Sequence, residues 1–247
     1  MKNEAVWKET KFVVGRNGTL QASRNSNHVG VGSRFVTDIM AKKLDDAIQR
    51  HASGDLVDIG CGSAPLYVSY RKKVDDITCI DYDGSLHEKI FIDHFQDLNE
   101  KLNLDDALYD TALMTSVLEH IYEPKQLLKE IHRVLKPNGK LIMNVPFYYW
   151  LHEEPHDYHR YTRYCLDRYL KETGFSVLEL KETGGVPEIM MDIVCKLTGR
   201  VRVLGPAISA TTRMVNGFGF TRALSRRTAP SFPLGYLAIA QKRPETS

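Results

Sequence analysis

Apolar and polar positions follow two different periods along this chain. Residues 11–22 alternate with a period of two, and Asn17-Gly18 between Phe12-Val-Val and Thr19-Leu predicts a β-hairpin. From Ser33, which reads as an N-cap, the period lengthens. Val36, Met40, Leu44 and Ala47 share one helical face. Short apolar runs at about 55–59, 77–80, 89–92, 109–114 and 140–145 predict strands. Between the last two, Pro124 opens a helix at a position where its missing N–H costs little. Leu127, Leu128, Ile131, Val134 and Leu135 form its apolar stripe, and Pro137-Asn138-Gly139 turns the chain back. A further helix at about 165–172 ends at Gly174. Strands are expected from Phe175 to Leu180 and from Leu234 to Gln241. Helices alternating with strands predict an α/β protein with a mostly parallel sheet.

The segment between the last two strands, 184–233, is too long for a plain connection, and such segments tend to be lids or binding elements. The expected organisation is an N-terminal hairpin and loop over 1–32 and an α/β core over 33–183. A basic helical insertion over 184–233 and a final strand with its tail over 234–247 complete it.

Composition narrows the class without naming it. An apolar fraction of 43% suits a globular core, and a net charge of +2 gives no reason to expect a nucleic-acid partner. Charge is uneven, however. No acidic residue falls between Asp192 and Glu245, a stretch that holds Lys196, Arg200, Arg202, Arg213, Arg222, Arg226, Arg227, Lys242 and Arg243. Cys61, Cys79, Cys165 and Cys195 show no metal-type pairing, which fits a reduced, cytoplasmic chain. The N-terminus does not read as a signal peptide, and no uninterrupted apolar run in the sequence is long enough to span a bilayer.

The richest chemistry lies in Leu56-Val-Asp58-Ile-Gly60-Cys61-Gly62-Ser-Ala64. A strand ends on a carboxylate and runs into a turn with two glycines, whose backbone can bend sharply and approach a ligand closely. Asp58 makes that turn better suited to a cationic or hydroxyl-rich ligand than to a pyrophosphate. Asp81 ends the next strand, about twenty residues on, at the spacing from which a carboxylate reaches a ribose diol. Asp97, in Asp97-Leu98-Asn99, is a third acid near a strand end.

With Leu118-Glu119-His120 and Leu135-Lys-Pro137-Asn-Gly139-Lys added in order, these motifs resemble the class I S-adenosylmethionine-dependent methyltransferases over roughly residues 33–183. One departure is Ala64, where many members carry a third glycine. The resemblance implies a Rossmann-like, seven-stranded, mostly parallel sheet with flanking helices and an antiparallel final strand. It also implies S-adenosyl-L-methionine as cofactor, held by Asp58, Gly60, Cys61, Gly62, Asp81, Tyr82, Asp97, Leu98 and Ser116. Asp58 would face the amino acid end, Asp81 the ribose and Asp97 the adenine amine; the plain alternative for each aspartate is a turn or helix cap.

An acceptor hydroxyl needs alignment with the methyl–sulfur bond and profits from a base. Phe147-Tyr148-Tyr149-Trp150-Leu-His152-Glu-Glu-Pro155-His156-Asp157-Tyr158-His159-Arg160-Tyr161-Thr162 is dense in such groups. It resembles a pattern in methyltransferases encoded with surface-polysaccharide and glycolipid enzymes. On that resemblance His152 is the expected base, with Asp157 orienting it and His120 a further catalytic candidate. Tyr148, Arg160 and Tyr161 are the expected acceptor contacts, Arg160 either gripping an anionic group or locking the loop. The alternative is a network that only staples the loop. Pro155 argues against one helix carrying His152, Glu153, His156 and His159, so no metal is expected from their spacing.

The expected function is therefore O-methylation of a sugar or glycolipid-type small molecule, which could carry a phosphate for the basic insertion to hold. The rivals are a lipid or quinone O- or C-methyltransferase with peripheral membrane contact, and a non-catalytic S-adenosylmethionine-binding module. A dinucleotide oxidoreductase is disfavoured by Asp58 and the Leu-Glu-His run.

Overall fold

The computed structural model describes residues 1–84, 89–199, 201 and 204–243. The chain divides into two compact units. The first comprises Met1–Lys8, Ala47–Lys181 and Tyr236–Ser247, and the second Glu9–Asp46 and Glu182–Gly235. The N-terminal hairpin and the insertion, expected as separate segments, thus belong to one unit.

The first unit is built on a seven-stranded sheet. Its strands are β3 (Asp55–Ile59), β4 (Asp76–Asp81), β5 (His94–Phe95), β6 (Tyr109–Thr115), β7 (Leu135–Pro146), β8 (Phe175–Glu182) and β9 (Gly235–Lys242). They lie in the order β5-β4-β3-β6-β7-β9-β8. The first five in that order pair in parallel, and β9 returns antiparallel. Chain order therefore reverses direction between β3 and β6. In open α/β sheets such a switch point opens a crevice at the carboxyl ends of the strands.

Alternation of apolar strands with amphipathic helices drives this arrangement. β3 is buried from Leu56 to Ile59. Helix α3 (Pro124–Val134) starts with proline at its first turn and buries Leu127, Leu128, Ile131 and Val134, as its stripe predicts. These side chains share one core with Leu166 and Leu170 of α4 (Arg163–Glu172) and with Ile59, Met114 and Val145 of the sheet. Thr162 caps α4, its hydroxyl accepting from the Cys165 N–H at 3.3 Å.

One strand was misplaced by the sequence pattern. Residues 89–92 form a turn, and the edge strand is the two-residue β5, paired at Ile80↔His94 and Asp81↔Phe95. Buried Phe91 and Ile92 supplied the apolar run, but it is packing rather than pairing that uses them.

The second unit holds the hairpin β1 (Phe12–Val14) and β2 (Leu20–Ala22), in register Phe12↔Ala22. It also holds α1 (Arg34–His51) as far as Asp46, together with α5 (Val186–Thr198), α6 (Leu204–Asn216) and α7 (Gly219–Thr228). The α1 stripe is rotated from the expected one. Phe35, Ala41, Leu44 and Ile48 are buried, while Val36 and Met40 are only half-buried. Gly32 permits a close approach to α5, since a Cβ there would lie 2.8 Å from the Cys195 carbonyl oxygen. Lys196 is neutralised by buried Asp192, and Arg213 lies 3.5 Å from Asp38. Arg222, Arg226 and Arg227 of α7 are exposed. Arg200 and Arg202 lie outside the described residues.

Candidate active site

Four loops leave the carboxyl ends of the neighbouring strands β3, β4, β6 and β7 in the first unit, and the site is made from them. The loop after β3 carries the glycine turn. Gly60 and Gly62 have φ of +68° and +54°, which glycine adopts without a Cβ penalty. A Cβ on Gly60 would lie 2.4 Å from the Val117 side chain, so the turn packs directly against the loop after β6. Ala64, in place of the family's third glycine, also has a left-handed φ of +48°. Its carbonyl accepts from the Trp7 indole N–H at 3.1 Å.

Asp58 is buried beneath this turn. One oxygen accepts a 2.8 Å hydrogen bond from the hydroxyl of Tyr70, the last residue of the short helix α2 (Tyr67–Tyr70). Burial pushes the Asp58 carboxyl up to about 7; the Tyr70 bond works against that rise, and the Asp81 charge adds to it. A cationic ligand group beside Asp58 would restore its ordinary ionisation. Asp81, at the end of β4, accepts from the Gly62 N–H at 2.6 Å and from the Tyr82 N–H at 2.7 Å. The acid about twenty residues downstream is thereby tied to the glycine turn. Cys61 is buried, and its contact with the Cys79 thiol and that burial hold it protonated. Tyr82 is exposed beyond β4 and Leu98 is buried. Asp97 accepts from both the backbone and side-chain nitrogens of Asn99 at 2.9 Å, the capping role weighed as its plain alternative. Ser116 follows β6 with a φ of +53°, and its N–H donates to the Asn144 carbonyl at 3.1 Å.

The loops after β6 and β7 are stitched together. The Glu119 carbonyl accepts from the N–H groups of Tyr158 and His159, at 2.9 and 3.2 Å. The Tyr161 hydroxyl donates to the Leu118 carbonyl at 2.9 Å. Tyr161 is buried in the core cluster, so in this structure its hydroxyl braces the Leu118–His120 turn and does not face an acceptor. Arg160 clamps Asp157 with two bonds of 2.6 and 2.7 Å and also donates to the Trp150 and His159 carbonyls. Of its two expected roles, this geometry is the loop lock. Asp157 in turn accepts from the His152 N–H at 3.0 Å, and its carboxyl is held down at about 2, chiefly by Arg160. No helix runs through 151–162, in keeping with Pro155 and with Glu153 at a φ of +53°.

His120 and His152, from different loops, meet with ring centroids 4.7 Å apart. His152 Nδ1 lies 3.3 Å from Asp157, and its Nε2 lies 3.7 Å from Glu119. Burial favours neutral His152, but the two carboxylates outweigh burial and raise its pKa. Tyr148 and Trp150, half-exposed on the same loop, flank this cluster in sequence.

Sequence reasoning missed Tyr70 and Asn144, and it noted Glu119 only within the Leu118-Glu119-His120 motif, without a role of its own. Glu119 has no exposed surface at all. A lone carboxylate inside an apolar Val-Leu-x-His turn was the available signal. Asn144 is buried at the end of β7, and its Oδ1 has no hydrogen-bond partner among the described residues. Tyr70 carried no local signal.

The sheet order and the glycine turn define a Rossmann-like methyltransferase fold. A family described as "Methyltransferase domain" matches residues 34–180, more than half of the chain, and the chain belongs to that family. Its cofactor is S-adenosylmethionine. Among curated proteins, the ubiquinone biosynthesis O-methyltransferase of Rickettsia akari is 24% identical over 58% of this chain and 68% of its own. That of Rickettsia conorii is 25% identical over 51% of this chain and 53% of its own. A methyltransferase from Mesorhizobium loti superposes with a TM-score of 0.55 at 15% identity, over 84% of this chain and all of the other. The [4+2]-cyclase SpnF superposes with a TM-score of 0.56 at 20% identity, over 84% of each chain. At such identities the likeness is one of fold, and the cyclase illustrates that fold alone does not fix the reaction.

Proposed function

We propose that this chain transfers the methyl group of S-adenosylmethionine to a hydroxyl oxygen of a sugar or glycolipid-type small molecule. The observation that carries the reading is the His120–His152–Glu119 cluster, built on two stitched loops of which the one after β6 packs against the glycine turn. Asp58 would pair with the cofactor's ammonium and Asp81 with its ribose. The acceptor oxygen, held at the cluster, gives its proton to His152, which Asp157 orients. The oxygen lone pair forms the new bond to the methyl carbon as the carbon–sulfur bond breaks, and the sulfonium becomes a neutral thioether. Alignment of the two partners is the main source of rate, with the base adding roughly 10²–10⁴-fold. Exposed Tyr148 and Trp150 offer faces on which a ring can stack. Four free cysteines fit a cytoplasmic setting, and no described helix is long and apolar enough to cross a membrane.

A second reading has its own observation. The Rickettsia relatives act in ubiquinone biosynthesis, and the second unit exposes Met190 and Leu197 on α5, and Phe218 and Phe220 beside the α7 arginines in sequence. A quinol-type acceptor reached at an anionic membrane surface would use both features. A labelled-methyl screen against glycans, nucleotide sugars, glycolipids and quinols separates the two. Label in the first three classes sustains the main reading, and label in quinols alone replaces it with the second. Cofactor binding without any turnover would leave a binding module.

A further inference from the structure

Glu119, His120 and His152 face one another in a way that side chains alone do not satisfy. The His120 ring places Nδ1 2.7 Å from the His156 carbonyl. A carbonyl only accepts, so Nδ1 carries the hydrogen and Nε2 presents a lone pair. His152 Nδ1 likewise faces only acceptors, Asp157 at 3.3 Å and the Trp150 carbonyl at 3.3 Å, so its Nε2 also points a lone pair inward. Both Nε2 atoms converge on Glu119 Oε1, at 3.8 Å from His120 and 3.7 Å from His152. The Glu119 side chain is fully buried. Both of its oxygens and His120 Nε2 lack a hydrogen-bond partner among the described residues. Three electron-pair donors thus surround one point with nothing positive between them. Burying such groups unpaired is costly. A proton on His152 would relieve one contact and still leave His120 Nε2 without a partner.

We propose that Glu119, His120 and His152 bind a divalent first-row transition-metal ion such as zinc. The ligand atoms of the three lie within 4.8 Å of one another. A tetrahedral zinc site with bonds of about 2.0–2.1 Å spaces its ligand atoms roughly 3.4 Å apart, so small side-chain shifts close the site. Two imidazoles and one carboxylate are a ligand set of catalytic zinc, which keeps a further position open. The surroundings are those of a metal site as well. Ligating histidines ordinarily donate their second N–H to a carboxylate or a backbone carbonyl, which fixes the ring. His152 does this to Asp157 and His120 to the His156 carbonyl. Arg160, by clamping Asp157, becomes a positioning residue for the ligand shell. The i,i+4 spacing within 152–159 never tested this arrangement, because Glu119 and His120 come from another loop.

The role of the ion rests on the function proposed above. An acceptor hydroxyl at the open position would bind through oxygen, and a divalent ion there lowers the pKa of a bound O–H by several units. The proton then passes to solvent, His152 serves as ligand instead of base, and the oxygen attacks the methyl carbon as before.

The test uses the full chain, stripped with chelator and reloaded with zinc or cobalt(II). One equivalent of metal retained per chain after desalting is expected, and cobalt should give the visible bands of a four- or five-coordinate nitrogen–oxygen site. Glu119→Gln and His152→Ala should each lose at least tenfold in affinity and shift those bands. Asp157→Asn, which leaves the ligands in place, should weaken binding by roughly 10–100-fold. Thermal melting and cofactor binding of each variant establish that it is folded. Failure of the folded wild type to retain stoichiometric metal, or retention unchanged in Glu119→Gln and His152→Ala, overturns the site. Methyl transfer that persists after complete metal removal overturns the ion's role and leaves the base reading standing. Stoichiometric cobalt at the site with no methyl acceptor found would instead sustain the site and defeat the proposed function.

Discussion

The Tyr70 hydroxyl donates a 2.8 Å hydrogen bond to the Asp58 carboxylate, so the acid at the start of the glycine turn is held in place before any ligand arrives. Burial raises its carboxyl to about 7 from an ordinary 3.8. The sign follows from linkage. A raised folded-state pKa contributes stability fully present below about pH 4 and lost as the pH climbs through about 7. Cofactor binding runs the other way, because an ammonium group prefers the ionised form. Affinity for S-adenosylmethionine should fall as the pH drops below 7, by up to about tenfold per unit. Binding should release a proton there, read by calorimetry in buffers of different ionisation enthalpy. Tyr70→Phe removes the interaction that lowers this pKa and should move the transition to higher pH.

The glycine turn makes a steric prediction. Gly60→Ala puts a Cβ 2.4 Å from Val117 at a φ of +68°. The variant should lose about 1–3 kcal/mol of stability and at least tenfold in cofactor affinity. Ala64→Gly should do the reverse at its φ of +48°, with a stability change between neutral and about 1 kcal/mol favourable. Thermal melts with and without cofactor measure both.

Arg160 is expected to act through the loop it locks. Arg160→Lys cannot keep the paired bonds to Asp157 and should lower kcat/KM for the acceptor about tenfold or more, with cofactor affinity within twofold. A change confined to KM, seen only with anionic acceptors, would instead mark direct contact with the acceptor.

Glu119 and His152 belong to one cluster, so their losses should not add. His152→Ala and Glu119→Gln should each cut turnover at least a hundredfold while cofactor affinity stays nearly unchanged, and the double variant should be little worse than either. Wild-type turnover in His152→Ala would end the assignment of this residue.

Elements with a local cause could be read from the sequence. Pro124 and the Leu127–Val134 stripe located α3, and the apolar run ending in Asp58-x-Gly60 located β3 and its turn. The edge strand failed because β5 is only two residues long, and the neighbouring apolar run serves packing. The α1 stripe was displaced because small Ala41 is buried where larger Met40 had been favoured. The site was half legible. The spacing of Asp81 pointed to a ribose, and in the structure this acid also accepts from the Gly62 N–H of the turn, but Glu119 gains its meaning only when His152 is brought beside it from 33 positions away, and no local pattern encodes that meeting.

S-adenosylmethionine is expected to bind at the loops after β3 and β4. Equilibrium dialysis of the full chain against labelled cofactor checks this. One equivalent bound per chain, displaced by S-adenosylhomocysteine and weakened at least tenfold in a folded Asp81→Ala variant, is the predicted result. No saturable binding by the folded wild type, or binding that Asp81→Ala leaves untouched, would contradict it.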